Sequence, residues 1–280
     1  MTEPERKSSG TAQGVAWLRA AHQLIDGEPP ILDDPIIVRL FGPYLTVHVR
    51  ADLERLQSPQ SRGLRSHIVL RSRFAEDALA DAVREGARQY VLLGAGLDTF
   101  AYRQPEWAHA IEIVEVDHPA SQQSKHEALI KAGITVPSNV RYADVDFERE
   151  TLADGLRRCA VSSTTRSFFS WLGVTMYLTG EAIDAVLATV VGFPKGSTIV
   201  LTFAQPREEG DSTALADGAA AMGEPWLSYF TPAELEAVLR GHGFSEVRFP
   251  MREALFARYF ADRRDGLLPP RRNSICMAVV

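Results

Sequence analysis

The chain has 280 residues, 45% hydrophobic and 24% charged, which are ordinary values for a globular protein with a sizeable core. Its formal net charge of −6 argues against a nucleic-acid backbone as main partner, because that polyanion rewards a basic face. No uncharged run approaches the ~18 residues that a membrane span requires.

Met1 to Gln13 is polar with no apolar signal core, so residues 1–13 read as a disordered tail and the protein as soluble and cytoplasmic. Residues 14–86 form a helical front. Gly14–Gln23 reads as a short helix, and Ile36–Phe41 as a second, entered through Asp34 and Pro35 as cap and first position. Ser66–Arg84 is the strongest helix here, with Ile68, Leu70, Phe74, Leu79 and Val83 at near-helical spacing and Gly86 closing it.

From residue 87 to the end, strands and helices alternate. Gln89–Leu93, Ile111–Val116, Asn139–Ala143, Ser167–Trp171 and Thr198–Phe203 read as strands, with helices over Pro119–Ala132 and Glu181–Val191. Thr231-Pro232-Ala233-Glu234 is a capping box that opens a helix to Arg240. Phe244–Pro250 and Ser274–Val280 read as an antiparallel closing pair joined by the loop Arg263–Arg272. The expectation is an α/β fold, a mostly parallel sheet covered on both faces. The long insertion at 205–229 turns aromatic at Trp226 and Tyr229 and reads as a lid.

The chemistry centres on Leu93-Gly94-Ala95-Gly96-Leu97-Asp98-Thr99, an apolar strand ending in Gly-x-Gly. Glycines let the chain turn sharply and a ligand touch its backbone, and a following helix would offer free N–H groups to an anion. The third glycine of the dinucleotide fingerprint is replaced by Thr99, which favours an adenosyl cofactor over NAD. Asp117 at the tip of the second strand faces the ligand crevice and suits a ribose diol; Glu115 shares its face and is the alternative. After the third strand, Asp146 with Phe147 is the better pair for an adenine ring, and Asp144 the weaker. Arg71 and Arg73 are both placed to fork a carboxylate if the front folds over the crevice. Met176 and Tyr177 follow the fourth strand, where a reacting group would sit. Of seven histidines only His118, beside Asp117, lies near the crevice, and no His or Cys cluster has metal-ligand spacing.

Several segments carry a family resemblance. They are Gly14-Val-Ala-Trp-Leu-Arg-Ala, Leu32-Asp-Asp-Pro, Arg71-Ser-Arg-Phe-Ala-Glu-Asp, Leu93-Gly-Ala-Gly-Leu-Asp-Thr-Phe-Ala-Tyr-Arg103, Glu115-Val-Asp-His-Pro, Val145-Asp-Phe, Trp171-Leu-Gly-Val-Thr-Met-Tyr-Leu and Phe230-Thr-Pro-Ala-Glu-Leu. Together the chain resembles the leucine carboxyl methyltransferase-like family of class I S-adenosylmethionine-dependent methyltransferases, in its actinobacterial small-molecule O-methyltransferase branch. The resemblance implies a Rossmann-like seven-stranded sheet with its last strand antiparallel, under a helical N-terminal cap. It implies S-adenosylmethionine as cofactor, held by Arg73, Gly94, Ala95, Gly96, Asp117, Asp146 and Phe147. A small-molecule acceptor, methylated on carboxyl or hydroxyl oxygen as in secondary metabolism, would meet Met176, Tyr177, Trp226 and Tyr229. His118 and Tyr177 are the candidate bases. The chain departs at Leu172-Gly173, where carboxyl methyltransferases often carry Glu-Gly, and at Phe100, where arginine is common. The rival readings are an NAD-dependent oxidoreductase and a non-catalytic cofactor-binding module.

Overall fold

The computed structural model describes residues 10–146, 150–208 and 214–280. Seven strands form one sheet in the order β3-β2-β1-β4-β5-β7-β6. The strands are β1 (Gln89–Leu93), β2 (Glu112–Asp117), β3 (Val140–Asp144), β4 (Ser167–Trp171), β5 (Thr198–Thr202), β6 (Glu246–Arg248) and β7 (Ile275–Val279). β1 to β5 pair in parallel, while β7 runs antiparallel between β5 and β6. β1, β4 and β5 are buried throughout and mostly apolar, with Gln89, Ser167, Ser170, Thr198 and Thr202 as their polar residues. Side-chain alternation sends Val91 and Leu93 to one core, and Tyr90 and Leu92 to the other. The strand order reverses at β1/β4, which opens a crevice at the C-terminal tips of these strands.

The front of the chain folds as a cap of α1 (Gly10–Ile25), α2 (Pro35–Phe41), α3 (Leu45–Ala51), α4 (Leu53–Leu56) and α5 (Pro59–Arg84). α1 starts at Gly10, so residues 10–13 of the expected tail are helical; residues 1–9 lie outside the described ones. α5 begins seven residues before the expected Ser66, because Ser58 caps it and Pro59 occupies its first position. Polar Gln60 to Gly63 hide that first turn from an apolar-periodicity argument. The cap is braced internally by Asp26, which accepts both Arg65 Nε (2.6 Å) and Nη2 (2.7 Å) and a bond from His22 Nδ1 at 2.7 Å.

The body helices are α6 (Pro119–Lys131), α7 (Leu152–Arg158), α8 (Gly180–Val191), α9 (Ala214–Ala221), α10 (Pro232–His242) and α11 (Arg252–Tyr259). Two expectations are corrected. No α-helix follows the glycine turn: the chain makes two 3-10 segments, Phe100–Tyr102 and Glu106–Ala110, because Asp98 turns back on Phe100 N and Pro105 interrupts the path. The closing strands are joined through α11 and not by the loop 263–272 alone, and β6 is only three residues long. The insertion 205–229 carries a helix of its own, α9. No helix among the described residues is long and apolar enough to cross a membrane.

Candidate cofactor and acceptor site

The glycine turn is built by backbone bonds across the β1/β2 boundary. Gly94 N and Ala95 N both donate to Val116 O, at 2.8 and 3.1 Å. Gly94 has φ +67°, and a Cβ there would lie 2.4 Å from Val174 Cγ2, so glycine is required twice over. Gly96, at φ +45°, donates its N–H to Asp117 Oδ2 at 2.5 Å. Asp117 Oδ1 accepts from His118 N at 2.7 Å. The Asp117 carboxylate therefore closes the turn with backbone donors alone and keeps further lone pairs for a ligand.

Glu115, the alternative to Asp117, is taken out of contention by burial. Its Oε2 accepts from Lys125 Nζ at 2.7 Å and from Tyr102 Oη at 3.1 Å, and it is 1% exposed. Burial pushes its carboxyl upward in pKa against the pull of Lys125. The pair fastens α6 to the sheet just below the crevice.

His118 caps α6: its Nδ1 accepts from Ala120 N at 3.2 Å. The neutral ring therefore carries its proton on Nε2, which lies 3.8 Å from Asp146 Oδ2. That brings Asp146 to the same strand tips as Asp117, since β2 and β3 pair Asp117 with Asp144 and Val145 N donates to Asp117 O. Phe147 lies outside the described residues.

The two arginines of α5 separate. Arg73 is exposed and pairs with Asp77 at 3.0 Å, on the face where Asp77 also binds Arg258 and Tyr259. Arg71 instead points toward the strand tips. It is partly buried beside Gly173 at the end of β4, where a Cβ would sit 2.7 Å from its Nη1 and Nη2. Burial and the Arg19 cation lower its pKa to about 10, while Tyr177 and Asp98 favour its charge. Arg71 makes no ion pair or side-chain hydrogen bond among the described residues.

Beneath the turn lies a network that the sequence reading did not assemble. Arg19 pairs with Asp34 and donates to Thr99 Oγ1 at 2.6 Å and to Leu97 O at 3.1 Å. Thr99 Oγ1 donates to Asp34 Oδ2 at 2.7 Å and accepts from Arg103 Nε at 3.1 Å. Arg103 forks onto Glu76 of α5, with Nη1 at 3.0 Å from Oε2. Burial raises the Asp34 carboxyl, but Arg19 and Arg103 outweigh it and hold the pKa below its ordinary value. Three cap helices and the Leu97–Arg103 loop are thus tied together. The signal was present, since Arg19, Asp34, Thr99 and Arg103 all lie in the quoted motifs.

On the other side of the crevice, Met176 O accepts from Leu227 N at 2.6 Å and from Ser228 N at 3.3 Å. Ser228 Oγ donates to Leu178 O at 2.5 Å. These bonds bring the strap carrying Trp226 and Tyr229 against Met176 and Tyr177; the two rings lie 6.2 Å apart. Met176 is buried, whereas Tyr229 is exposed. The first turn of α1 approaches from above: Ala12 Cβ lies 3.7 Å from a Cβ placed on Gly96. Thr11 Oγ1 hydrogen-bonds Glu224, and Met222 Sδ lies 3.0 Å from a Cβ placed on Gly10. Among the described residues no three His, Cys, Asp or Glu side chains gather as metal ligands would.

The sequence profile described as leucine carboxyl methyltransferase matches residues 12–191. The chain belongs to the leucine carboxyl methyltransferase family. That match runs from the cap through α8 and stops before the insertion 205–229. YktD of Bacillus subtilis (strain 168), which carries the name of an S-adenosyl-L-methionine-dependent methyltransferase, is 32% identical over 290 residues, covering 94% of this chain and 95% of its own. A protein of the same designation from Mycolicibacterium paratuberculosis (strain ATCC BAA-968 / K-10) is 26% identical over 281 residues, covering 91% of this chain and 89% of its own. Among solved structures, a DUF574 family protein from Streptomyces avermitilis MA-4680 superposes with a TM-score of 0.54 at 17% identity, covering 97% of each chain; this likeness concerns the fold alone. This family member is an S-adenosylmethionine-dependent methyltransferase. The crevice suits that cofactor: a turn open to close approach, a backbone-held carboxylate and a guanidinium with no ion pair among the described residues stand at neighbouring strand tips.

Proposed function

We propose that the protein methylates an oxygen, of a carboxyl or hydroxyl group, on a small-molecule acceptor. In this reading Asp117 holds the ribose diol of S-adenosylmethionine and Asp146 faces its base. Gly94, Ala95 and Gly96 lie along the methionine part, and Arg71 forks its carboxylate. S-adenosylmethionine, when bound, supplies an electrophilic methyl group on a positively charged sulfur. The protein contributes binding, alignment and exclusion of water; alignment of two reactants alone is worth ~7–11 kcal/mol.

The observation that carries the small-molecule reading is the roof. The first turn of α1 meets Met222 and Glu224 above the crevice, and the strap at Leu227 and Ser228 is bonded to Met176 and Leu178 beside it. An acceptor site closed by the chain's own segments favours a compact guest over a protein terminus. Met176, Tyr177 and Trp226 shape that side, with Tyr229 at its outer rim. Proton removal is not what His118 is placed for, since its Nδ1 caps α6 and its Nε2 proton faces Asp146. Tyr177 is the remaining hydroxyl near Arg71, suited to orient an acceptor oxygen. A carboxylate acceptor requires no base at all.

Methyl-labelled cofactor tested against small carboxylic acids and phenols decides the matter. Label should appear in a small organic product. Mild alkali should then release labelled methanol from a methyl ester and leave an aryl ether intact. Label found only on protein or on amines, or no transfer by a cofactor-binding sample, would contradict the proposal.

A further inference from the structure

The wall beneath the glycine turn is rich in charge, and its charges are matched in pairs. Arg19 meets Asp34, Arg103 meets Glu76 and Lys125 meets Glu115. Besides Asp117, which backbone donors hold, two charged side chains at the turn lack an ion pair among the described residues. Among the described residues Arg71 has no ion pair, and Asp98 makes a single side-chain bond, accepting Phe100 N on Oδ1 at 2.8 Å. Oδ2 of Asp98 accepts no bond among the described residues.

These two groups carry opposite charge and border the same turn, yet they do not pair with one another. Asp98 lies two residues beyond Gly96, and its own N–H donates to Ala95 O at 2.7 Å, which folds the turn back on itself. The preceding carbonyl, Leu97 O, is held by Arg19 at 3.1 Å. The following residue, Thr99, is fully buried and bonded to Arg19, Asp34 and Arg103. Asp98 is therefore clamped on both sides by a buried network that leaves its carboxylate partly exposed. Its charge acts on Arg71, Glu76, Tyr90 and Arg103 together, which places it at the junction of α5 and the β1 tip.

Holding a cation and an anion apart, both partly buried and unpaired, costs free energy that their mutual contact would recover. The arrangement is accounted for if a ligand brings both complements on one carbon. The amino-acid end of the cofactor is such a zwitterion. We propose that Asp98 receives the α-ammonium of the cofactor's methionine part, opposite the α-carboxylate received by Arg71. The assignment rests on the placing of Arg71 given above. It makes a methionine-type zwitterion, and not the nucleoside alone, the feature this turn selects.

Calorimetric titration of the full-length protein with four ligands tests it. They are S-adenosylhomocysteine, its deamino analogue, its decarboxylated analogue, and 5′-methylthioadenosine, which lacks both groups. Asp98→Asn keeps an Oδ1 acceptor for Phe100 N and so preserves the turn. It should weaken S-adenosylhomocysteine and the decarboxylated analogue by about tenfold or more, and change the deamino analogue and methylthioadenosine by less than about twofold. Arg71→Met should show the mirrored pattern, sparing the decarboxylated ligand. Equal loss on the deamino ligand, or no loss on S-adenosylhomocysteine, overturns the role of Asp98. Loss of all four ligands in Asp98→Asn also overturns it, by making the residue a mere prop of the turn. A wild-type protein that binds none of the four would bring down the cofactor site itself. An Asp98→Asn penalty seen with S-adenosylmethionine but absent with S-adenosylhomocysteine would reassign Asp98 to the sulfonium and overturn the ammonium contact.

Discussion

Arg71 and Arg73 stand two positions apart on α5, hence about 200° apart around its axis, and they cannot serve the same site. One guanidinium lies beside Gly173 at the β4 tip; the other is half in solvent on Asp77. Arg71→Met should weaken S-adenosylhomocysteine binding by about tenfold or more, as expected for a lost charge-assisted contact, while Arg73→Met should change it by less than about twofold. Calorimetry on both variants checks the assignment; equal losses would contradict it. Gly94 offers a second residue-level test. Alanine there must adopt φ +67° and press on Val174, at about 1–3 kcal/mol for the backbone alone. Gly94→Ala should lower the denaturation midpoint and abolish cofactor binding, and a variant with unchanged stability would show that the turn is looser than its contacts require. The sequence offered both arginines as candidates, and periodicity along α5 cannot choose between them without knowing which face meets the crevice. Asp117 was separable from Glu115 only by its place at the strand tip, and the reason emerges from Lys125, ten residues further on, which neutralises Glu115 inside the core.

At the scale of elements, the cap is fixed to the cofactor loop by Asp34. This residue caps α2 through Ile37 N at 3.0 Å, pairs with Arg19 and accepts from Thr99. Removing its charge leaves Arg19 buried with reduced compensation, so Asp34→Asn should cost about 3 kcal/mol at neutral pH. The sign of its pH dependence follows from its lowered pKa. A carboxyl whose folded pKa lies below its unfolded value stabilises above the unfolded pKa of 3.8, and that contribution disappears as pH falls through the folded value. Denaturant titrations should therefore show the wild-type advantage over Asp34→Asn shrinking below about pH 4; an advantage that grows on acidification would contradict the ion pair. Strands β1, β2 and β4 were legible because each carries a buried apolar stretch beside its polar residues: Tyr90 to Leu93 in β1, Ile113 and Val114 in β2, Phe168 and Phe169 in β4. α10 was legible because its capping box is spelled out by Thr231 and Glu234. The start of α5, the short helices α3 and α4, and α11 were not: their turns are polar or half-exposed, so they lack an apolar period. The helix expected after Gly96 was ruled out by Asp98, which accepts Phe100 N, by Pro105, and by the tertiary bond that Leu97 O accepts from Arg19.

At the scale of the whole molecule, cap and sheet form one connected body. α5 lies in the core shared with β1, β4 and β5, the Arg19 network crosses from cap to loop, and Arg263 donates from the C-terminal region to Pro29 O at 2.6 Å and Gly27 O at 2.9 Å. Unfolding should be a single transition, with far-ultraviolet and near-ultraviolet circular dichroism giving coincident midpoints; an earlier loss of the helical signal would show a cap that melts by itself. The family profile stops at residue 191, before the insertion 205–229 and the strap of Leu227 and Ser228. Met176, Tyr177, Trp226 and Tyr229 could be named from the sequence, but the bonds that hold their two segments together, from Leu227 N and Ser228 to Met176 O and Leu178 O, join residues some fifty apart and carry no local signal.

The claim on which the rest depends is that the tips of β1, β2 and β4 hold S-adenosylmethionine. A crystal structure of the protein with S-adenosylhomocysteine tests it most directly. The ribose hydroxyls should lie within hydrogen-bond distance of Asp117 and the amino-acid end beside Arg71. Density for the nucleoside anywhere else, or tips closed over by α1 with no ligand between them at saturating concentration, would contradict it.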